Sequence, residues 1–417
     1  MSVLSAPGTA RQLHGNRIGS VHVVVFGGWM SGQKRPWLTL LSPAFTLDRI
    51  RGVRSNPLII KLCRACGRHM KGYGASTVVG GGGAIKRRNP GRRRVAKACW
   101  IYLVLTLAIW LWLRLDGDRG WIATLMLFGP LWVLLLPAVA LVPLAIRYGR
   151  RSLWIILVAV GVTVGPIMGL CVPWRIVTLS NLPYLQLRIL TCNTHEGALD
   201  PAAMARLVKS GHPDIVAFQE WTPRNRAIIF DDPGWHVLED DGFCLASRFP
   251  ATRVQQIVPQ PYLGSGAAIE YDIVTPRGTI EFVNAHLASP HGAFGAAIQD
   301  QDKGPAAIER NCETRLRQIQ VLKDYLQMDE GRIVLAGDLN TRSESPIFPD
   351  RSLDVADAFA TAGFGFGWTY YSKWTAVRID HVLISAGWQC RRCWVGPDVG
   401  SPHRAVIADV EWVGPSN

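Results

Sequence analysis

The chain has 417 residues, 48% of them hydrophobic and 18% charged, and a formal charge of +14. Such a charge taken alone suggests a nucleic-acid binder, but it is unevenly placed: residues 182–417 carry 21 Lys and Arg against 28 Asp and Glu, and residues 1–181 carry 24 against 3. The C-terminal half is therefore acidic, and the basicity reads as a membrane-orientation signal or a contact with anionic lipid rather than a DNA footprint.

Residues 1–95 show little periodicity, a Gly80-Gly81-Gly82-Gly83 tract and a basic run, so they are expected to form a disordered basic tail. Val23 to Phe26 is too short for a signal-peptide core, and translation could begin as late as Met70. Cys63-x-x-Cys66 with His69 is half of a zinc-type cluster without a second half, and no metal is expected there.

Residues 96–175 read as a membrane anchor. Cys99 to Leu115, Trp121 to Ile146 and Leu153 to Trp174 are nearly uninterrupted apolar runs, each close to or beyond the roughly 20 residues that cross a bilayer. They lack a polar face, which argues against helices of a soluble core. Lys86, Arg87, Arg88, Arg92, Arg93, Arg94 and Lys97 precede the first run. Arg147, Arg150 and Arg151 separate the second from the third, whereas the first connection balances Asp116 and Asp118 with Arg114 and Arg119. By the positive-inside rule the basic flanks are cytoplasmic, and three spans put the C-terminal domain outside.

Residues 182–417 read as one α+β domain. Ile215 to Phe218, Ile280 to Val283, Ile333 to Ala336 and Ile379 to Ile384 are short apolar runs of strand type. Asp200 is placed to cap a helix carrying Met204, Leu207 and Val208 and ending at Gly211, and Leu316, Ile319, Leu322 and Leu326 mark a second helical stripe. Polar groups lie at the strand ends: Asn193, Glu220 after Gln219, His286 after Asn284, Asp338 and Asn340 after Gly337, and Asp380 and His381 at the start of the last run, after Arg378.

Phosphoester cleavage needs a hard cation, a base for water and donors for the phosphoryl oxygens. Mg²⁺ prefers oxygen ligands and keeps several waters, so Glu220 and Asn193 suffice to hold it. A carboxylate that fixes the tautomer of a histidine makes it a base, which pairs Asp380 with His403. Asp338 is then free to orient the attacking water, and Asn340 and His286 to polarise the phosphate. His381 is expected to be structural, as are His195, His212, His236 and His291, which lack a partner pattern. A single Asp-x-Asn after a strand reads as a turn; the ordered set of motifs is what carries the chemistry.

That ordered set resembles the endonuclease/exonuclease/phosphatase superfamily: Leu187 to Asn193, Pro213 to Glu220, Val283-Asn284-Ala285-His286-Leu287, Ala336-Gly337-Asp338-Leu339-Asn340, Arg378-Ile379-Asp380-His381-Val382 and Gly400-Ser401-Pro402-His403-Arg404. The resemblance covers the C-terminal domain and none of the N-terminal half. It implies a four-layered α/β sandwich, two packed sheets flanked by helices, here preceded by transmembrane helices. It also implies Mg²⁺ or Mn²⁺ and hydrolysis of phosphodiesters or phosphomonoesters. Position by position, Asn193 and Glu220 match metal ligands, Asp338 and Asn340 the water and phosphate contacts, Asp380 and His403 the base pair, and His286 the family's central histidine.

One position departs from the family pattern, which has an Asp directly before its last histidine, where this chain has Pro402. The change removes a negative ligand and a backbone donor and fixes φ. It supports a second expectation, a catalytically impaired sandwich serving as a membrane-tethered binding or sensor module. The expected partners are a phosphoester substrate, nucleic acid or phospholipid head group, and the bilayer; no protein partner is expected. Specificity is assigned to the loops Ser289 to Gln301 and Ser343 to Asp350. The nine cysteines form no framework: Cys192 and Cys244 are expected in the core, and Cys390-x-x-Cys393 gives only a weak redox signal.

Overall fold

The computed structural model of the chain describes residues 90–173, 185–258, 266–299, 302–328, 332–349 and 355–414. The expectations for the tail before residue 90, with its glycine tract, Cys63, Cys66, His69 and Met70, lie outside the described residues.

The first helix, α1, runs Pro90–Asp116. Pro90 is its first described residue, and Arg92, Arg93, Arg94 and Lys97 lie on its first described turns; residues 90–95 are therefore helical and not part of a tail. The second apolar run is not one helix. It divides at Gly129-Pro130 into a short α2 (Trp121–Phe128) and a helix that starts as a 3-10 turn at Leu131–Leu135 and continues as α3 (Leu136–Tyr148). The third, α4 (Leu153–Val162), continues through a π turn at Thr163–Ile167. Three stretches, Pro90–Asp116, Leu131–Tyr148 and Arg150–Ile167, are long and apolar enough to cross a membrane.

These helices pack through a seam of Cys99, Leu103, Ala138, Ala145, Ile156 and Ala159, in which small residues let the backbones approach. Their outward faces are apolar too: Val139 and Leu157 are each 71% exposed, as suits a lipid rather than an aqueous surround. The basic flanks share one end of the bundle, where the Arg92 side chain lies against Gly149. The opposite end meets the C-terminal domain. There Cys171 and Gly365 exchange backbone hydrogen bonds of 2.8 and 3.0 Å, Thr375 Oγ1 donates to the Gly129 carbonyl, and the Arg342 guanidinium donates to the Leu127 and Ile167 carbonyls.

The C-terminal domain is a sandwich of two six-stranded mixed sheets. The strands that matter for the site are β1 (Leu185–Asn193), β2 (Ile215–Gln219), β7 (Gly278–His286), β8 (Ile333–Asp338), β12 (Asp380–Ser385) and β14 (Val406–Trp412). With β3 (His236–Asp240), β4 (Phe243–Ser247), β5 (Ala251–Val258), β6 (Ala267–Thr275), β9 (Val355–Asp357) and β13 (Trp388–Val395), one sheet has the order β13-β14-β1-β2-β4-β3 and the other β5-β6-β7-β8-β12-β9. β10 (Tyr370–Tyr371) and β11 (Ala376–Val377) pair apart as a small hairpin. Ile189, Ala217, Leu245, Ile269, Phe282, Val334 and Val382 fill the space between the sheets. The outer face of the first sheet is covered by α5 (Pro201–Gly211) through Met204 and Val208. That helix starts as expected, with the Asp200 carboxylate accepting from the Ala202 and Ala203 N–H groups.

A short helix α6 (Arg226–Ile229) follows on the same side. Helix α7 (His291–Gln299) precedes the long α8 (Gly304–Met328), which covers the second sheet. The buried stripe of α8 contains Cys312, Arg315, Ile319, Leu322 and Leu326. Leu316, expected in that stripe, is 41% exposed and Arg315 takes its place with no exposure. Both satisfy the helical period within a residue, so periodicity could not choose, and hydrophobicity chose wrongly. Helix, sheet, sheet and helix give the four layers.

Candidate active site

The strand pairings bring the polar residues together. β1 and β2 are parallel neighbours with Asn193 beside Gln219, so Asn193 and Glu220 leave one edge of their sheet together. β7 and β8 are parallel with His286 beside Asp338. β12 runs antiparallel to β8 and starts where β8 ends, which sets Asp380 opposite Asp338. Gly337 makes this possible: at φ 148° it lies so close to β7 that a Cβ would sit 1.9 Å from the Ala285 carbonyl oxygen. Glu220 and Asn340 hold left-handed backbone, at φ 50° and 46°, a conformation that costs an L residue about 1–2 kcal/mol and turns each side chain out of its strand direction.

His403, in the loop before β14, donates through Nδ1 to Asp380 Oδ2 at 2.9 Å. Its Nε2 faces inward, 3.8 Å from Asp338 Oδ2. His286 Nε2 lies 3.6 Å from Glu220 and 3.8 Å from Asp338. The Asn193 carboxamide nitrogen donates to Glu220 Oε1 at 2.9 Å and to Asp338 Oδ2 at 3.1 Å, while its oxygen accepts from the His195 backbone N–H. Asn193 therefore bridges two carboxylates in this arrangement, with its nitrogen turned to the centre. Asn340 bonds Asp338 through its backbone N–H and the Leu287 carbonyl through its side chain.

The electrostatics follow from burial and crowding. Burial raises the Asp338 carboxyl above its ordinary value and the Asp380 charge adds to this, against the pull of His403, His286 and Asn193. Burial disfavours the imidazolium of His403, but the Asp380 and Asp338 carboxylates outweigh it and raise the pKa to about 9. The residues fit a hard divalent cation. Glu220 Oε1 and Asp338 Oδ2 converge on the Asn193 amide at 2.9 and 3.1 Å, Asp338 also lies with Asp380 and His403 in a cluster whose facing atoms are within 4.8 Å of one another, and Asp380 Oδ1 is buried without a hydrogen-bond partner among the described residues. This is a surplus of oxygen donors and negative charge of the kind Mg²⁺ or Mn²⁺ relieves.

Some residues were not singled out by sequence. His195 Nδ1 lies 3.5 Å from Glu220 Oε2, and only its position two residues after Asn193 hints at this. Ser401 Oγ donates to the Asn193 carbonyl and accepts from the His403 N–H. The Tyr370 ring packs edge-on against His403, with centroids 4.9 Å apart, and the Pro402 carbonyl accepts from the Tyr371 N–H. Asn284 points elsewhere: its amide binds Gln219, Phe218 and Cys244 across the sandwich. His381 also faces away, bonding the Thr341 carbonyl and standing 3.4 Å from Asp357. The cysteines among the described residues are free, with Cys192, Cys244, Cys390 and Cys393 buried.

The sequence profile of the Endonuclease/Exonuclease/phosphatase family matches residues 190–403, just over half of the chain, and the chain belongs to that family, whose members cleave phosphoester bonds. No curated protein matches the sequence. Among solved structures, an endonuclease/exonuclease/phosphatase from Beutenbergia cavernae is 18% identical, with a TM-score of 0.42 over 55% of this chain and 72% of that one. A family protein from Bacteroides thetaiotaomicron is 14% identical, with a TM-score of 0.42 over 55% and 99%. The catalytic domain of human Nocturnin, solved with a bound sulfate anion, is 15% identical, with a TM-score of 0.41 over 54% and 93%.

Proposed function

We propose that the chain is a divalent-metal-dependent hydrolase of phosphoester bonds, anchored in the cell membrane by three spans with its catalytic domain outside the cytoplasm. The observation that carries the reading is the buried Asp380–His403 pair, 2.9 Å apart, set against Glu220 and Asp338. Mg²⁺ or Mn²⁺, when bound by Glu220 and Asp338 with Asn193 between them, supplies charge neutralisation at the phosphoryl oxygens. Asp380 holds the His403 ring through Nδ1 and leaves Nε2 facing the centre, where it takes the proton of the attacking water. Asp338 orients that water. His286 and the second N–H of the Asn340 amide bind the phosphoryl oxygens as charge develops.

The anchor supports both the topology and the substrate. Basic residues gather at one end of the bundle and the catalytic domain docks on the other, as the positive-inside rule requires for an external domain. The segment carrying Tyr370 and Tyr371 runs from the His403 wall to the anchor, where Trp374 and Thr375 bond Trp132 and Gly129. A rim tied this closely to a membrane span favours a phospholipid head group over nucleic acid. The second reading, an impaired binding or sensor module, rests on Pro402; the intact Asp380–His403 pair weighs against it.

The test is hydrolysis by the full chain in lipid nanodiscs, offered phospholipid, RNA and DNA with Mg²⁺ or EDTA. Turnover that needs metal and falls at least about a hundredfold in Asp338→Ala and His403→Ala establishes the enzyme. A folded wild type that binds metal and turns over nothing in the panel transfers the weight to the binding module.

A further inference from the structure

We propose that the membrane anchor is part of the catalytic apparatus: Asp118, in the turn between α1 and α2, is a positioning residue that holds the Asn340 loop in place through Arg315. For its kinetic readout the inference rests on the phosphoesterase reading above; its structural readout does not.

Asp118 and Arg315 are both completely buried, with Arg315 Nη2 2.6 Å from Asp118 Oδ1. Apart from this ion pair, neither oxygen of Asp118 has a hydrogen-bond partner among the described residues. Its backbone is left-handed, φ 57°, a conformation that an aspartate tolerates better than most residues and that turns its carboxylate toward Arg315. The carboxylate is thus committed to one guanidinium on a helix of the other part of the molecule.

Arg315 passes the contact on. Its Nη1 donates to the Asn340 backbone carbonyl at 3.2 Å and its Nε to Asn311 Oδ1 at 3.0 Å, while the Phe128 ring of α2 covers it, 5.5 Å from the guanidinium carbon. Asn340 in turn bonds Asp338 and Leu287. A buried chain therefore runs from Asp118 through Arg315 to Asn340 and Asp338 at the centre. A guanidinium buried against neutral acceptors is unstable without a counter-charge, so removing the Asp118 charge releases Arg315 from its place and frees the Asn340 carbonyl it orients.

Docking of the anchor does not depend on this pair alone. The Cys171–Gly365 backbone bridge, the Arg342 bonds to Leu127 and Ile167 and the Thr375 bond to Gly129 lie elsewhere on the junction. Loss of the Asp118 charge should accordingly leave the two parts joined and disturb the Asn340 loop.

The experiment compares full-length wild type, Asp118→Asn and Asp118→Glu in nanodiscs by hydrogen exchange and by steady-state kinetics on the substrate found. In Asp118→Asn, amides of residues 339–342 should exchange about tenfold faster or more while residues 365–376 and β2 keep their protection. The kcat should fall on the order of tenfold or more with KM within about twofold, as misplacement of a reacting group predicts. Asp118→Glu, which keeps the charge, should recover part of both effects. Unchanged exchange at 339–342 overturns the proposal, as does an acceleration spread evenly over the domain, which marks a merely structural ion pair. A wild type without turnover sinks the phosphoesterase reading, yet the exchange pattern still decides the role of Asp118.

Discussion

His403 is the base of the proposed reaction, and its protonation is set by neighbours that pull in opposite directions. Burial favours the neutral ring, and the Asp380 and Asp338 carboxylates favour the imidazolium strongly enough to raise the pKa to about 9. A folded pKa above the unfolded value means that the metal-free protein gains stability from this proton below the ordinary histidine value, and loses it as the pH rises through about 9. A base must be neutral, so a cation at the neighbouring carboxylates has to lower that value before His403 can accept a proton at neutral pH. NMR titration of the His403 ring should give a midpoint near 9 without metal and a lower one with Mg²⁺; a metal-free midpoint at or below the ordinary 6.5 would remove the electrostatic account. Gly337 is the second decisive residue. With the Ala285 carbonyl 1.9 Å from where a Cβ would stand, Gly337→Ala should force β7 and β8 apart beside Asp338 and cost about 3 kcal/mol, read as a fall in the thermal unfolding midpoint. A variant as stable as wild type would show that the strands tolerate separation.

Short elements that end at the site depend on a second set of charges behind it. Asp357 ends β9 (Val355–Asp357) and caps α9 (Ala358–Ala362), accepting from the Phe359 N–H. It lies 3.2 Å from Arg378 and 3.4 Å from His381. Burial works against its charge, but the Arg378 guanidinium, His381 and the capping N–H prevail and lower the carboxyl from 3.8 to about 2. The depressed value contributes about 2 kcal/mol at neutral pH, complete above pH 3.8 and lost as the pH falls through about 2. Asp357→Asn should abolish that part of the acid limb and lower stability at neutral pH, and acid titration of both proteins by circular dichroism measures it; identical acid limbs would contradict the assignment. At this scale the sequence was readable where one property decided the outcome. Fully apolar runs became β2 and β8, and Asp200 with Pro201 fixed the start of α5. It was not readable where two properties competed: Leu316 and Arg315 both fit the α8 period, and the carboxylate of Asp118, 197 residues earlier, with the Asn340 carbonyl, selects arginine for the buried place. The orientation of the Asn193 amide was equally hidden, because it depends on the His195 N–H and on two carboxylates brought by other strands.

Across the whole molecule the charge separation, the bundle and the sandwich act as one device. The first 181 residues hold 24 of the 45 basic residues and only 3 of the 31 acidic ones, and Arg92, Arg93, Arg94, Lys97, Arg147, Arg150 and Arg151 stand at the end of the bundle remote from the catalytic domain, with Arg114 in the last turn of α1 at the other. Ordinary surface potentials on the cytoplasmic leaflet favour each Lys or Arg near it by about 1 kcal/mol, and this excess is what supports the proposed topology, with that end inside and the acidic domain outside. The split of the second apolar run belongs to the same logic. Gly129 and Pro130 stop a helix that composition alone would extend, and the freed segment, α2, turns toward the domain instead of the lipid, bringing Thr124 to 3.2 Å from Cys312. Protease added to intact cells should therefore cut the C-terminal domain, and in sealed inverted vesicles the domain should resist until detergent is added. Cleavage in the opposite pattern would place the domain in the cytoplasm, and would require one of the three apolar helices to lie along the interface rather than across it.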